Sequence, residues 1–362
     1  MSKPITVLFG TRPEAIKLAP VILELKKQGV DHRVIHTGQH RELADPILET
    51  FGIKPDHTLD IMTDAQQPLE LLQRLLDALP KFITPDNTAS LLVQGDTTSA
   101  LAGALTAHHQ QIKVAHLEAG LRSHDKSQPF PEETNRTLLS HISDIHFAPT
   151  AGARHNLMAE SINPDTIHVT GNSVVDALHF ILDKSSVKPE DLRNKYLANN
   201  KGKLIVVTTH RRENFGRPLR DIFDALNTIA EELPDATVLL PSHPNPNVQS
   251  ALSILHDTEN IKIISPMAYE EFVPLMAAAD LILTDSGGIQ EEAPALGTPV
   301  FVLRNKTERP ELQESGAGKL IGTEKAKIKS SVLEFFRDDH IPEPKEIFGD
   351  GHTAERVVRL LR

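Results

Sequence analysis

Residues 279–294 read Ala279-Asp280-Leu281-Ile282-Leu283-Thr284-Asp285-Ser286-Gly287-Gly288-Ile289-Gln290-Glu291-Glu292-Ala293-Pro294. An apolar run, a polar turn with two glycines and a helical stretch, in that order, describe a strand delivering the chain to a helix N-terminus. Gly287 and Gly288 let the backbone approach a ligand closely, and the N–H groups of the first helical turn offer donors and about half a positive charge to a phosphate. Ser286 adds a hydroxyl. Glu292, one turn in, is placed to take both hydroxyls of a ribose. A plainer account uses the same residues: Asp or Ser before a helix caps it, and acidic side chains in a first turn suit the dipole. The motif alone does not separate the two.

Working outward, the same strand-then-helix unit repeats. Strands are expected at 204–208, 237–240, 261–264, 281–283, 300–302 and 319–321, with helices near 218–232, 247–255, 269–278, 289–296, 309–315 and 324–336. Upstream, strands are expected at 5–9, 32–36, 90–93, 113–116, 145–148 and 166–169, with helices near 14–28, 67–82, 97–109, 133–141, 150–160 and 173–183. Such alternation builds parallel sheets covered on both faces. The polar stretch 184–202 reads as a short helix and a linker. The expected architecture is α/β, two doubly wound Rossmann-like domains with a cleft between them, residues 1–170 and 171–350. A Pro-rich crossing at 341–344 leads to a last helix, 351–362, expected to pack back near the first domain.

Bulk properties narrow the classes. A chain of 362 residues exceeds one comfortable core, and 39% hydrophobic with 24% charged residues is the balance of a soluble globular protein. No apolar run is long enough to span a bilayer, and no signal peptide precedes the strand at 5–9, so a cytoplasmic protein without membrane insertion is expected. Zero cysteines exclude disulfides, thiolate catalysis and cysteine-ligated metals. A net charge of −11 argues against nucleic-acid binding, which needs a cationic surface. An anionic ligand must meet local positive charge. Arg12, Lys17, Arg211, Arg212, Arg217, Arg304, Lys306 and Arg309 fall at or near strand-to-helix junctions and can provide it.

In doubly wound sheets, chemistry belongs to the loops after strands. Gly10-Thr11-Arg12-Pro13-Glu14 follows the first strand, with Pro13 suited to the first helical position and Glu14 to the first turn. Capping does not explain Arg12 and Lys17, two cations at a helix start that the dipole disfavours, and they point to anion binding. Asp96, in Gln94-Gly95-Asp96-Thr97-Thr98, is by residue type an ideal N-cap. Glu118 leaves a strand end with no helix to cap, and Glu132 and Glu133 open a helix that carries Arg136. Asp96, Glu118 and Glu132 could converge, and grouped carboxylates shift one another's pKa values as acid–base work requires. His210, at the head of Thr209-His210-Arg211-Arg212, can donate to a phosphate or move a proton. His36 and His40 are separated by Thr37-Gly38, which breaks a helical metal pair, so no metal is expected.

Taken together, GTRPEAIKLAP, QGDTTS, HLEAGLRS, PFPEETNR, THRRENFG, HPNPNV, TDSGGIQEEAPALGTPV and KTERPE resemble the non-hydrolysing UDP-N-acetylglucosamine 2-epimerases, in order along nearly the whole chain. The resemblance implies a GT-B-like fold, a homodimer, a UDP-sugar substrate, no redox cofactor, and reversible conversion of UDP-N-acetylglucosamine to UDP-N-acetylmannosamine through 2-acetamidoglucal and UDP. It assigns acid–base work to Asp96, Glu118 and Glu132, and places His210 near the leaving diphosphate. It also implies Arg12, Lys17, Arg136 and Arg309 as substrate contacts, Ser286, Gly287, Gly288 and Glu292 as UDP contacts, and Phe272 near uracil. Gln39, Arg211 and His243 match a second, activating UDP-N-acetylglucosamine site. Two departures stand against activation there: Glu42 replaces an expected Gln, and residues 60–66 contain no arginine.

Other activities fit parts of the pattern. A hydrolysing epimerase would trap the glucal with water, and an epimerase of a modified UDP-sugar would differ at C3 or C6. A glycosyltransferase of the same architecture would share the nucleotide loop but need no carboxylate trio, and a nucleotide-sugar sensor would bind without turnover.

Overall fold

The computed structural model describes residues 3–62, 67–197, 202–337 and 346–362. The Pro-rich crossing at 341–344 and part of the linker at 184–202 lie outside the described residues. The chain divides into two compact units, Met1–Phe180 with Phe348–Arg362, and Ile181–Ile347. The division falls inside the helix Val174–Lys184, so residues 171–180, assigned by sequence to the second domain, belong to the first unit.

The first unit holds β1 (Ile5–Phe9), β2 (His32–His36), β3 (His57–Thr58), β4 (Ser90–Gln94), β5 (Lys113–Leu117), β6 (Ile145–Ala148) and β7 (Ile167–Val169). They form one sheet in the order β3-β2-β1-β4-β5-β6-β7, with every pair parallel. β1 is buried along its whole length, as a central strand covered on both faces requires. Leu8, Ile35, Leu91, Val93 and Val114 pack there with Ala100, Ala104 and Ala107 of the helix Thr98–His109. Small residues let that helix lie close: a side chain at Gly103 would meet Leu8 at 2.1 Å.

Two elements of this unit escape the sequence reading. The helix Arg41–Phe51 buries Ala44, Ile47, Leu48 and Phe51, an i, i+3, i+4, i+7 stripe masked by Pro46 in its interior. β3 has only two residues, too few for an alternation to register.

The second unit holds β8 (Lys203–Thr208), β9 (Ala236–Pro241), β10 (Ile261–Ile264), β11 (Leu281–Thr284), β12 (Val300–Val302) and β13 (Gly318–Leu320). Their order is β10-β9-β8-β11-β12-β13, again all parallel. Phe223, Leu226 and Ile229 of the helix Arg217–Glu232 fill its core with Ile205, Val207 and Leu240. Both units are thus Rossmann-like and doubly wound, as the alternating pattern implied. The C-terminal helix Thr353–Leu361 belongs to the first unit, where it packs on the helix Arg12–Lys27. Among the described residues no helix is long and apolar enough to cross a membrane.

Candidate functional site

Strand order reverses once in each sheet, between β1 and β4 and between β8 and β11, and a doubly wound sheet opens its ligand crevice beyond the carboxyl ends at that reversal. Every candidate residue read from the sequence lies on a connection leaving a strand's carboxyl end.

In the first unit Thr11 is the N-cap of the helix Arg12–Lys27, which moves Pro13 one position further in than expected and puts Glu14 at N3 in a capping box. Glu14 is 1% exposed. It accepts from the N–H groups of Gly10 and Thr11 at 3.1 and 2.8 Å and from the hydroxyls of Thr11 and Thr97 at 2.8 and 2.9 Å. Burial pushes its carboxyl up to about 7, against four hydrogen bonds that each favour the charged form. Sequence reading saw only a first-turn acid. Its side chain ties the loop after β1 to the loop after β4.

Asp96 is not a cap. Thr97 caps the helix Thr98–His109 by accepting from the Ala100 N–H at 3.0 Å, and the Asp96 carboxylate instead pairs with Arg136. Asn135 donates to the Asp96 carbonyl at 2.9 Å, so the helix Glu132–Ile142 seats this loop with two side chains. Glu132 is the first residue of that helix and half-buried. Its neighbour Glu133 accepts from the N–H groups of Ser123 and His124 at 3.0 and 2.9 Å and lies 3.4 Å from Arg136. Asp96 and the start of the Glu132 helix are thereby brought together through Arg136.

Glu118 sits one strand over, in the left-handed region at φ 64°. A non-glycine residue held there costs about 1–3 kcal/mol, which the surroundings must offset. Its carboxylate pairs with Lys17 and accepts from the Asn172 amide at 2.9 Å. Lys17, counted from sequence as positive charge for an anion, is matched by Glu118. Arg122 turns away to Glu160, with two bonds of 2.7 Å, and holds that carboxyl below its usual value. Behind these loops His116 is fully buried, donates to the Gly95 carbonyl at 2.7 Å, and is pushed down to about 3, so it is neutral. Arg12 stands half-buried at the first helical position, and Gln39, after β2, accepts from Ser99 at 2.8 Å.

In the second unit the fully buried Asp285 organises the reversal point. Its oxygens accept from the His210 N–H at 3.1 and 3.0 Å, the Arg211 N–H at 3.0 Å and the Asn214 amide at 3.0 Å. The His210 ring nitrogen lies 3.4 Å away, and the ring stacks on His243 at 5.5 Å between centroids. Ser286 and the two glycines follow Asp285 directly. A side chain at Gly287 would meet Arg309 at 3.1 Å and Arg211 at 3.2 Å, while one at Gly288 would meet open space. Glycine at 287 therefore admits two guanidinium groups and, at 3.3 Å, the Glu308 carboxylate to the turn.

The expectation that Arg304 and Arg309 bring net positive charge needs correction. Arg309 binds Glu291 and Glu308 at 2.6 Å each, and Arg304 binds Glu213 at 2.7 Å and Glu308 at 3.2 Å. Two guanidinium groups face three carboxylates, so the network supplies no surplus. Glu292 is 7% exposed and accepts from the Tyr269 hydroxyl at 3.1 Å. Phe272 lies half-buried on the same helix as Tyr269, Tyr269–Ala278. Among the described residues no group of three or more His, Asp or Glu is arranged for a metal.

Comparisons with known proteins bear on this geometry. A family model described as UDP-N-acetylglucosamine 2-epimerase matches residues 23–362. The UDP-N-acetylglucosamine 2-epimerase of Campylobacter jejuni is 42% identical over 100% of this chain and 98% of its own, and that of Bacillus subtilis 42% identical over 99% and 94%. Among solved structures, a UDP-GlcNAc 2-epimerase from Neisseria meningitidis bound to UDP-GlcNAc gives a TM-score of 0.93 at 40% identity, covering 99% of each chain. One from Methanocaldococcus jannaschii in complex with UDP-GlcNAc and UDP gives 0.85 at 37% identity, again over 99% of each.

Proposed function

The chain belongs to the UDP-N-acetylglucosamine 2-epimerase family, and from that membership we propose that it interconverts UDP-N-acetylglucosamine and UDP-N-acetylmannosamine without hydrolysis. A base removes the C2 proton, the C1–O bond to UDP breaks, and the electron pair of the C2–H bond becomes the C1=C2 bond of 2-acetamidoglucal. UDP oxygen then re-forms the bond to C1 while a proton is delivered to the other face of C2. The sequence is redox-neutral and calls for no redox cofactor.

The observation that carries this reading is the pairing of strand-end acids with cations: Asp96 with Arg136 and Glu118 with Lys17. A carboxylate at a strand end is the type of group that can take up or return a proton, and a cation beside it steadies charge that develops nearby. In this reading Asp96, Glu118 and Glu132 move the C2 protons, assisted by Arg12, Lys17 and Arg136. His210, Ser286, Gly287, Gly288 and Arg309 attend the diphosphate, Glu292 the ribose, and Phe272 the uracil. The turn at Gly287, next in sequence to Ser286, admits the Arg211 guanidinium and so supports the diphosphate assignment, with Arg309 there already matched by Glu291 and Glu308.

Proton NMR of UDP-N-acetylglucosamine with the protein in deuterium oxide tests the whole scheme. We expect UDP-N-acetylmannosamine with deuterium at C2 and UDP retained on the sugar. Free N-acetylmannosamine as the main product, or an unchanged substrate, overturns it.

A further inference from the structure

We propose that Asn172 is a positioning residue for Glu118, held in place by the backbone of the returning C-terminal segment. The proposal rests on the proton-transfer role given above to Glu118. Asn172 is 2% exposed and its amide is used at both ends. The nitrogen donates to the Glu118 carboxylate at 2.9 Å, and the oxygen accepts from the Val174 N–H at 3.1 Å, which fixes which way the amide points. The next residue, Ser173, donates to the Lys17 carbonyl at 2.5 Å. Two consecutive residues therefore grip both members of the Lys17–Glu118 pair, which lie 101 positions apart in sequence.

What fixes Asn172 is the chain's return to this unit. Its own N–H donates to the Phe348 carbonyl at 2.5 Å, and Phe348 is 2% exposed. Gly171, at φ 88°, and Gly349, at φ 137°, let the two segments touch: a side chain at 171 would meet Thr353 at 2.7 Å and Gly349 at 3.0 Å, and one at 349 would meet the Asn172 nitrogen at 3.3 Å. Thr353 and Arg356 then donate to the Thr170 carbonyl at 3.1 Å each. Asp176 accepts from the N–H groups of Thr353 and Ala354 at 3.3 and 2.8 Å. Glu118 already occupies a strained left-handed backbone, so its carboxylate needs a fixed partner. Among the ionisable groups set against it are Lys17, from the helix Arg12–Lys27, and the neutral His116, two residues back on β5.

The test compares Asn172→Ala and the isosteric Asn172→Asp with native protein, measuring kcat, KM and the pH dependence of kcat for UDP-N-acetylglucosamine epimerisation. Losing one hydrogen bond to a charged group should lower kcat about ten-fold or more with KM within about three-fold, and the acid limb should move to higher pH. Asn172→Asp keeps the acceptor for Val174 but sets a second negative charge beside Glu118, so its limb should move further and its activity recover at high pH. An unmoved acid limb in both variants overturns the proposal, even if melting temperature falls, because a carboxylate that loses its hydrogen-bond donor titrates higher. Glu118→Gln separates this failure from that of the underlying reading. If Glu118→Gln is inactive while the Asn172 limbs stay fixed, only the positioning role falls; if Glu118→Gln stays active, the role of Glu118 falls first.

Discussion

The two strand-order reversals are built from the same topology and closed by different carboxylates. In the first unit Glu14 comes from the helix after β1 and reaches Thr97 after β4. In the second, Asp285 comes from the end of β11 and reaches back to the loop after β8. Both are buried, and both are held by donors that carry no charge. The donors differ in one respect that matters. Glu14 has two hydroxyls among its four partners, and a hydroxyl can turn to accept. Asp285 faces the backbone N–H groups of His210 and Arg211, which cannot. The first junction should therefore tolerate an amide in place of its carboxylate and the second should not.

The largest expected effect concerns the proton on Glu14. Its folded pKa of about 7 lies above the ordinary 4.5, so the native state binds the proton more tightly than the unfolded chain. Stability from this group is complete below pH 4.5, declines as pH rises through about 7 and is flat beyond, a change of about 3 kcal/mol. Glu14→Gln should fold, and the difference in stability between native and variant protein should follow that curve in urea titrations at pH 4 to 8. A difference independent of pH would mean that the four hydrogen bonds hold the carboxyl at its ordinary value.

Asp285→Asn should show the contrast from the other side. Both carboxylate oxygens accept from the His210 N–H, so either orientation of the amide turns an NH2 group toward a backbone donor. Loss of one of these bonds, with a donor turned toward a donor, should cost about 1.5–3 kcal/mol. Because His210 sits on the affected loop, epimerisation should fall with it. A variant as stable and active as the native protein would show that the loop is held by other contacts, and the contrast between the two junctions would dissolve.

The sheets were legible because parallel strands buried on both faces are apolar runs, and of the thirteen strands among the described residues only His57–Thr58 was missed. The helix Arg41–Phe51 carries a readable stripe, but Pro46 speaks against it locally and only its packing overrules that. The place of the candidate residues after strand ends was legible for a related reason: a parallel sheet sends every strand's carboxyl end to the same edge. Partners were not. Lys17 and Glu118 are 101 residues apart, and Arg136 and Asp96 are 40 apart, so nothing local joins them. Arg122, four residues from Glu118, binds Glu160 instead. Arg304 and Arg309 looked like charge for a phosphate because the buried acids that take them up, Glu291 and Glu308, look in sequence like ordinary polar residues of a first turn and a loop.

The smallest effect separates two accounts of Glu292, a buried acid in the helix after the glycine turn. If it only suits a helix start, Glu292→Gln costs about 0.3–1 kcal/mol of stability and leaves nucleotide affinity alone. The helix Ile289–Ala295 has seven residues, which makes a large dipole contribution less plausible still. If Glu292 accepts from the ribose, one oxygen is already engaged by Tyr269, and losing the charge should cost about 1.5 kcal/mol of binding, close to one decade in affinity. UDP lacking the 2′-hydroxyl is the control, since it should bind native protein more weakly while the variant barely distinguishes the two ligands. Calorimetric titration of both ligands into both proteins measures this. Equal discrimination by native and variant proteins would remove Glu292 from the ribose, in contrast with Asp285, seven residues earlier, which fixes the backbone of the His210 loop.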